Sequence, residues 1–76
     1  MATAAKTRKP KVKDLTARER DVLRCLAKGQ TNAQIAHALS VTYDTAKIYV
    51  KRLRAKLGLA TRTAMAVWGS KHLGEE

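Results

Sequence analysis

Residues 42–58 read TYDTAKIYVKRLRAKLG, and wound as a helix they present two different faces. Residues three or four apart share a helix face, so Ala46, Val50, Leu53 and Leu57 form one apolar stripe. Asp44, Lys47, Ile48, Lys51 and Ala55 fall on another side, roughly 140° round at the ~100° per residue of helical geometry. That second side is basic, with Ile48 in its midst and Arg52, Arg54 and Lys56 flanking it. Thr42 stands where the helix is capped and Gly58 where it stops. A core face backed by a basic face suits a helix that packs on a small domain and enters a DNA groove. A solvated charged face on an ordinary core helix is the competing reading, and the flanking segments weigh against it.

Upstream, Thr31 followed by Gln34 is a capping box opening a short helix with Ile35, Ala36 and Leu39 as its apolar face. This helix ends near Ser40, and Val41 is expected to point inward from the turn. A short helix, a tight turn and a second helix with a basic face make a helix-turn-helix. His37 falls on the outer side of the short helix and reads as an exposed bystander. Further upstream, Thr16 and Glu19 form another capping box, with Leu15 placed to pack inward. Val22, Leu23 and Leu26 make the buried stripe of that helix, and Gly29 ends it in a left-handed conformation with Lys28 in the last turn. Cys25 falls off the stripe. Arg24 beside it could lower the thiol pKa, but no base or resolving partner is in view, so the thiol reads as incidental.

Downstream, Leu59 and Ala60 bridge to Thr61, the cap of a fourth helix. Ala64 and Val67 are its expected core contacts, with Lys71 along the same side. Met65, Trp68 and His72 form an adjacent stripe. That stripe either closes the core or makes a dimer face; Trp and Met are enriched at interface centres, which favours the interface. Gly69 and Gly74 weaken the end of this helix, and residues 74–76 are expected to fray.

The chain has 76 residues, room for one small domain, and one cysteine, so disulfides cannot hold it together. Its net charge of +10 and pI near 10.4 point to a polyanionic partner, with nucleic acid the commonest. No apolar run approaches the ~20 residues that span a bilayer. The N-terminus lacks the apolar core of a secretory signal, and a lone thiol suits a reducing cytoplasm, where a DNA binder would associate with the nucleoid. No metal-ligand spacing, nucleophile–base pair or phosphate loop occurs, so no cofactor, metal or enzyme activity is expected. Residues 1–13 carry Lys6, Arg8, Lys9, Lys11 and Lys13 without an acid. They are expected to be disordered alone, either as an arm that follows DNA phosphates or enters the minor groove, or as a solubilising tail.

The run LTARERDVLRCLAKGQTNAQIAHALSVTYDTAKIYVKRLRAKLGLATRTAMAVW resembles the LuxR/GerE-type helix-turn-helix, the output domain of NarL/FixJ response regulators. The resemblance spans about residues 14–73. It rests on Leu15-Thr16-x-Arg18-Glu19, Val22-Leu23, Gly29, Thr31-Asn32, Ile35-Ala36, Leu39, Thr45-x-Lys47, Lys56-Leu57-Gly58 and Arg62. It implies an all-α, four-helix domain with helices near 17–28, 32–39, 43–57 and 62–73. The third would lie in the major groove of double-stranded DNA, and the fourth would form a two-fold homodimer. Lys47, Ile48 and Lys51 match the family's base-facing positions. Thr31, Asn32, Thr42, Tyr43, Thr45, Tyr49, Arg52 and Arg54 are candidates for DNA backbone contacts, although Thr31 and Thr42 serve first as caps. Three residues depart from the family's usual pattern. Gln34 replaces an acid and frees Lys47; Ala46 replaces Val and thins the packing; Tyr49 replaces His and offers a ring to the core and a hydroxyl to a phosphate.

With no receiver or ligand-sensing segment in view, the chain resembles either a stand-alone member of the family or an output domain cut from a longer protein. The leading expectation is a sequence-specific, dimeric bacterial transcription regulator. The alternatives are an interaction protein that pairs with longer family members or docks on RNA polymerase, and an architectural DNA binder driven by charge alone.

Overall fold

The computed structural model describes residues 10–75. Four helices follow one another: α1 (Ala17–Ala27), α2 (Asn32–Leu39), α3 (Tyr43–Leu57) and α4 (Arg62–His72). Short 3-10 turns, Val12–Asp14 and Leu73–Glu75, precede and follow them. The fold class is the all-α, four-helix one that the resemblance implies.

Each of the four helices starts on a threonine. The hydroxyls of Thr16, Thr31, Thr42 and Thr61 accept from the backbone N–H of Glu19, Gln34, Thr45 and Ala64 at 3.0–3.2 Å. Glu19 and Gln34 complete capping boxes, accepting from the N–H of Thr16 and Thr31 at 2.8 Å. Each cap satisfies donors that the helix leaves unpaired, worth about 1 kcal/mol apiece. The stops are equally local. Gly29 (φ 78°) and Gly58 (φ 67°) take the left-handed backbone, and the next N–H in each case reaches back to a carbonyl of the helix, Gln30 to Cys25 at 3.1 Å and Leu59 to Arg54 at 3.2 Å. The α2–α3 turn uses a left-handed residue too, but here it is Ser40 (φ 58°), with the Val41 N–H bonded to the Ala36 carbonyl at 3.0 Å.

Helix α1 packs chiefly against α4, α2 packs against α3, and α3 also leans on α1. Leu15, Val22, Leu23, Leu26, Ile35, Ala36, Ala46, Leu53, Leu57 and Met65 fill the shared core. Val41 and Tyr49 pack against its edge. Ala46 is fully buried.

The structure departs from the sequence expectations in five places. The folded part does not begin at Asp14: Val12 is only 5% exposed, and the Lys11 N–H bonds to Asp14 Oδ2 at 3.0 Å. A lone valine in a basic run is enough to anchor one 3-10 turn, so residues 10–13 belong to the domain. Cys25 is buried in the core rather than lying off it. Burial pushes its thiol pKa up, against a smaller opposing pull from Lys28, the reverse of activation by Arg24. Val67 is not a core contact but is 50% exposed, while Met65 is fully buried; α4 is turned so that its larger side chain fills the core. Gly69 is buried and functional in packing: a Cβ there would lie 3.1 Å from Leu23 and 3.3 Å from Ala27. It lets α4 approach α1 closely. Leu73–Glu75 continue as a 3-10 turn instead of fraying at Gly74. Of the basic residues in the expected arm, Lys6, Arg8 and Lys9 lie outside the described residues.

Polar ties hold α3 and α4 at their ends. Lys56 Nζ donates to Glu19 Oε1 at 2.8 Å, joining the end of α3 to the start of α1. Partial burial pushes the Glu19 carboxyl up, but Lys56 and the Thr16 N–H together hold it below the ordinary range. Arg62 reaches from the start of α4 to the loop before α2, donating to the Gln30 carbonyl at 2.6 Å and to Asn32 Oδ1 at 2.7 Å. The first tie anchors the end of α3 on α1, and the second anchors the start of α4 beside α2.

Candidate nucleic-acid interface

Because Ala46, Leu53 and Leu57 are buried, the opposite side of α3 has to face solvent. Asp44, Lys47, Ile48, Lys51 and Ala55 are all exposed there. Ile48 is 47% exposed, an apolar side chain that the core has not claimed. Lys47, Ile48 and Lys51, the expected base-facing residues, therefore lie together on one rigid surface. Lys47 Nζ sits 5.7 Å from the centre of the Tyr43 ring. Gln34, meanwhile, spends its side-chain oxygen on the Thr31 N–H, so Lys47 is not tied to α2.

Two hollows flank this ridge. One, about 700 Å³, runs between α3 and the starts of α2 and α4; Asp44, Lys47, Ile48, Lys51, Arg54 and Arg62 line it, with Val50 and Met65 at its floor. The other, about 250 Å³, lies between α3 and the start of α1, where Thr16, Arg18, Glu19 and Val22 meet Tyr49 and Arg52. A helix in the major groove has a phosphate wall on each side, and positive charge stands on both flanks of α3.

The expected backbone contacts divide between these flanks, and several already have structural work. Thr31 accepts the Gln34 N–H, which leaves its own hydroxyl proton available to a phosphate. Thr42 accepts the Thr45 N–H and donates to Thr45 Oγ1 at 2.9 Å, so Thr45 keeps the free proton of the pair. Asn32 accepts from Arg62 and retains its amide donors. Arg54 donates to the Ala60 carbonyl at 3.2 Å and bridges the turn after α3. Tyr43 is 53% exposed. Tyr49 packs its ring on the core edge, and Arg52 is exposed beside it.

Arg18 lines the second flank and is not among the expected contacts; it was legible only as part of a motif, because its nearness to Tyr49 and Arg52 depends on how α1 crosses α3. The ties made by Arg62 were missed for the same reason. Of the expected dimer stripe, Met65 is excluded by its complete burial. Trp68 and His72 are half-buried, with ring centroids 4.4 Å apart. Among the described residues, no group of His, Cys, Asp or Glu converges to hold a metal ion. No helix there is long and apolar enough to cross a membrane.

Comparison with known proteins agrees with this geometry. The model of the GerE family, bacterial regulatory proteins of the luxR family, matches residues 13–68. The chain is similar to the nitrate/nitrite response regulator protein NarL of Escherichia coli strain K12, 44% identical over 57 residues, which cover 75% of this chain and 26% of NarL. It is similar to the DNA-binding transcriptional activator DevR/DosR of Mycobacterium tuberculosis, 46% identical over 57 residues, again 75% of this chain and 26% of the relative. It is also 44% identical over 64 residues to the transcriptional regulatory protein YhcZ of Bacillus subtilis, 84% of this chain and 30% of that one. The chain thus spans between a quarter and a third of the length of these relatives. These are regulators and not enzymes. With its four capped helices and the family match over most of its described residues, the chain belongs to the luxR family of bacterial regulatory proteins.

Proposed function

We propose that the chain is a sequence-specific, double-stranded-DNA-binding transcriptional regulator that works as a dimer on a pseudo-palindromic site with α3 in the major groove. The observation that carries this is the exposed trio Lys47, Ile48 and Lys51 on a helix whose other side is locked into the core. Lysine donates to guanine O6 and N7, and an apolar side chain meets the thymine methyl. Thr31, Asn32 and Tyr43 hold phosphates on one side of the groove; Arg18, Thr45, Tyr49 and Arg52 hold them on the other. Relatives named as a transcriptional regulatory protein and a DNA-binding transcriptional activator support the biological setting, and a nucleoid location follows from it.

One helix reads too few bases for useful specificity, so a second copy is required. The face of α4 that supports self-association is the one carrying Val67, with Thr63 and Ser70 exposed one turn to either side. Trp68 and His72 border it. Residues 1–9 supply further phosphate contacts through Lys6, Arg8 and Lys9, next to the exposed Lys11 and Lys13. RNA polymerase or a longer family member is the protein partner that activation would call for.

The net charge of +10 favours a second reading, architectural binding without sequence preference. Competition separates them. Chain bound to a preferred duplex at physiological ionic strength is challenged with excess random duplex. We expect random duplex to displace it at least ~1000-fold less well than the unlabelled preferred site, the low end of specific-to-nonspecific ratios. Equal displacement by both would leave charge alone as the mechanism.

A further inference from the structure

Asp44 is the single acid in α3, and it stands on the face where every other charge is positive. Its position in the first turn suits the helix dipole, which explains why a carboxylate is tolerated there but not why it faces outward among the groove-reading residues. Lys47, one turn on, is turned to the Tyr43 ring. Asp44 has no hydrogen-bond or ion-pair partner among the described residues. It is exposed, and it lines the same hollow as Lys47, Ile48 and Lys51.

A free carboxylate carried into the major groove meets phosphates and base acceptors that repel it. It is stabilised only where a base offers an amino group. Guanine presents N7 and O6 and thymine presents O4, all acceptors; adenine offers its N6 amino group but sets the N7 acceptor beside it, whereas cytosine presents the N4 amino donor with no acceptor alongside, the partner suited to Asp and Glu. We infer that Asp44 is a specificity-determining residue that selects cytosine at the base facing the first turn of α3 and rejects thymine and guanine there. The inference rests on the reading of α3 as the groove helix. It also fixes a spacing. Asp44 and Lys51 are about 10 Å apart along the helix axis at ~1.5 Å per residue. The cytosine and the guanine read by Lys51 therefore lie within about three base pairs, at ~3.4 Å per step.

The experiment uses the full chain, with Asp44→Ala and Asp44→Asn, on the preferred duplex and on duplexes in which each cytosine in turn is replaced by thymine. For the wild type, one such replacement in each half-site is expected to weaken binding roughly 10- to 100-fold. In Asp44→Ala that penalty disappears while the penalties at the other positions remain. Asn pairs with adenine N6 and N7, so Asp44→Asn should shift the preference at that one position to adenine. Circular dichroism melts show whether the variants fold. If Asp44→Ala keeps every base preference and only binds all duplexes more tightly, Asp44 merely repels phosphate and the inference is overturned. If it keeps every preference and only melts earlier, the residue serves the helix dipole and the inference is likewise overturned. A wild type with no penalty at any position would instead overturn the sequence-specific reading on which this rests.

Discussion

A Lys47→Ala/Lys51→Ala variant should bind its preferred duplex roughly 30-fold or more weakly, because each lost lysine-to-guanine contact is worth about 1–3 kcal/mol. Both side chains are exposed on α3 and neither belongs to its buried set, so the helical content and melting of the variant should match the wild type. Fluorescence anisotropy over a series of salt concentrations measures both parts of the effect. If the lysines read bases, affinity for the preferred duplex falls much further than affinity for random duplex. If they only meet phosphates, both affinities fall by the same factor and each lysine takes about 0.9 from the salt slope. Lys51→Ala alone should show the same asymmetry, with relaxed preference at one position of the half-site.

The second large effect falls on stability. Met65→Ala should cost about 2–5 kcal/mol, the range for emptying a well-packed site of a long apolar side chain. For a domain this small, total stability is only about 4–11 kcal/mol at ~0.05–0.15 kcal/mol per residue, so the variant should lose much of its denaturation midpoint. Val67→Ala, on the exposed side of the same helix, should stay within about 0.5 kcal/mol of wild type. Urea denaturation of the two variants checks this directly. The opposite order, a sensitive Val67 and an indifferent Met65, would place α4 half a turn away from where the structure has it.

That contrast marks where the sequence was legible. Helix starts and stops were readable because they are local: a threonine accepts from an N–H three residues on, and glycine at 29 and 58 supplies the left-handed backbone without reference to the rest of the chain. The two faces of α3 were readable because its apolar and basic residues separate cleanly. In α4 they do not. Ala64 and Val67 make one plausible apolar line, Met65 and Trp68 another, and only the close approach of α1 at Gly69 decides between them. Gly69 looks like a weakness when taken alone and becomes a packing position once Leu23 lies 3.1 Å from its missing Cβ. Cys25 and Val12 were misjudged for the same reason, since their burial is imposed by neighbours distant in sequence. The candidate site shares this division. Lys47, Ile48 and Lys51 could be placed on one face by helical arithmetic. Arg18 on the second flank, and Arg62 as the strut beneath the first, required the crossing of helices.

The most direct test of α3 as a reader of base edges is selection of bound sequences from a random duplex pool by the unmodified chain at physiological ionic strength. Two related half-sites should emerge in inverted order, spaced by about one helical turn of DNA, each with a guanine and, within about three base pairs, a cytosine. A recovered pool with the same base frequencies as the input would contradict the account.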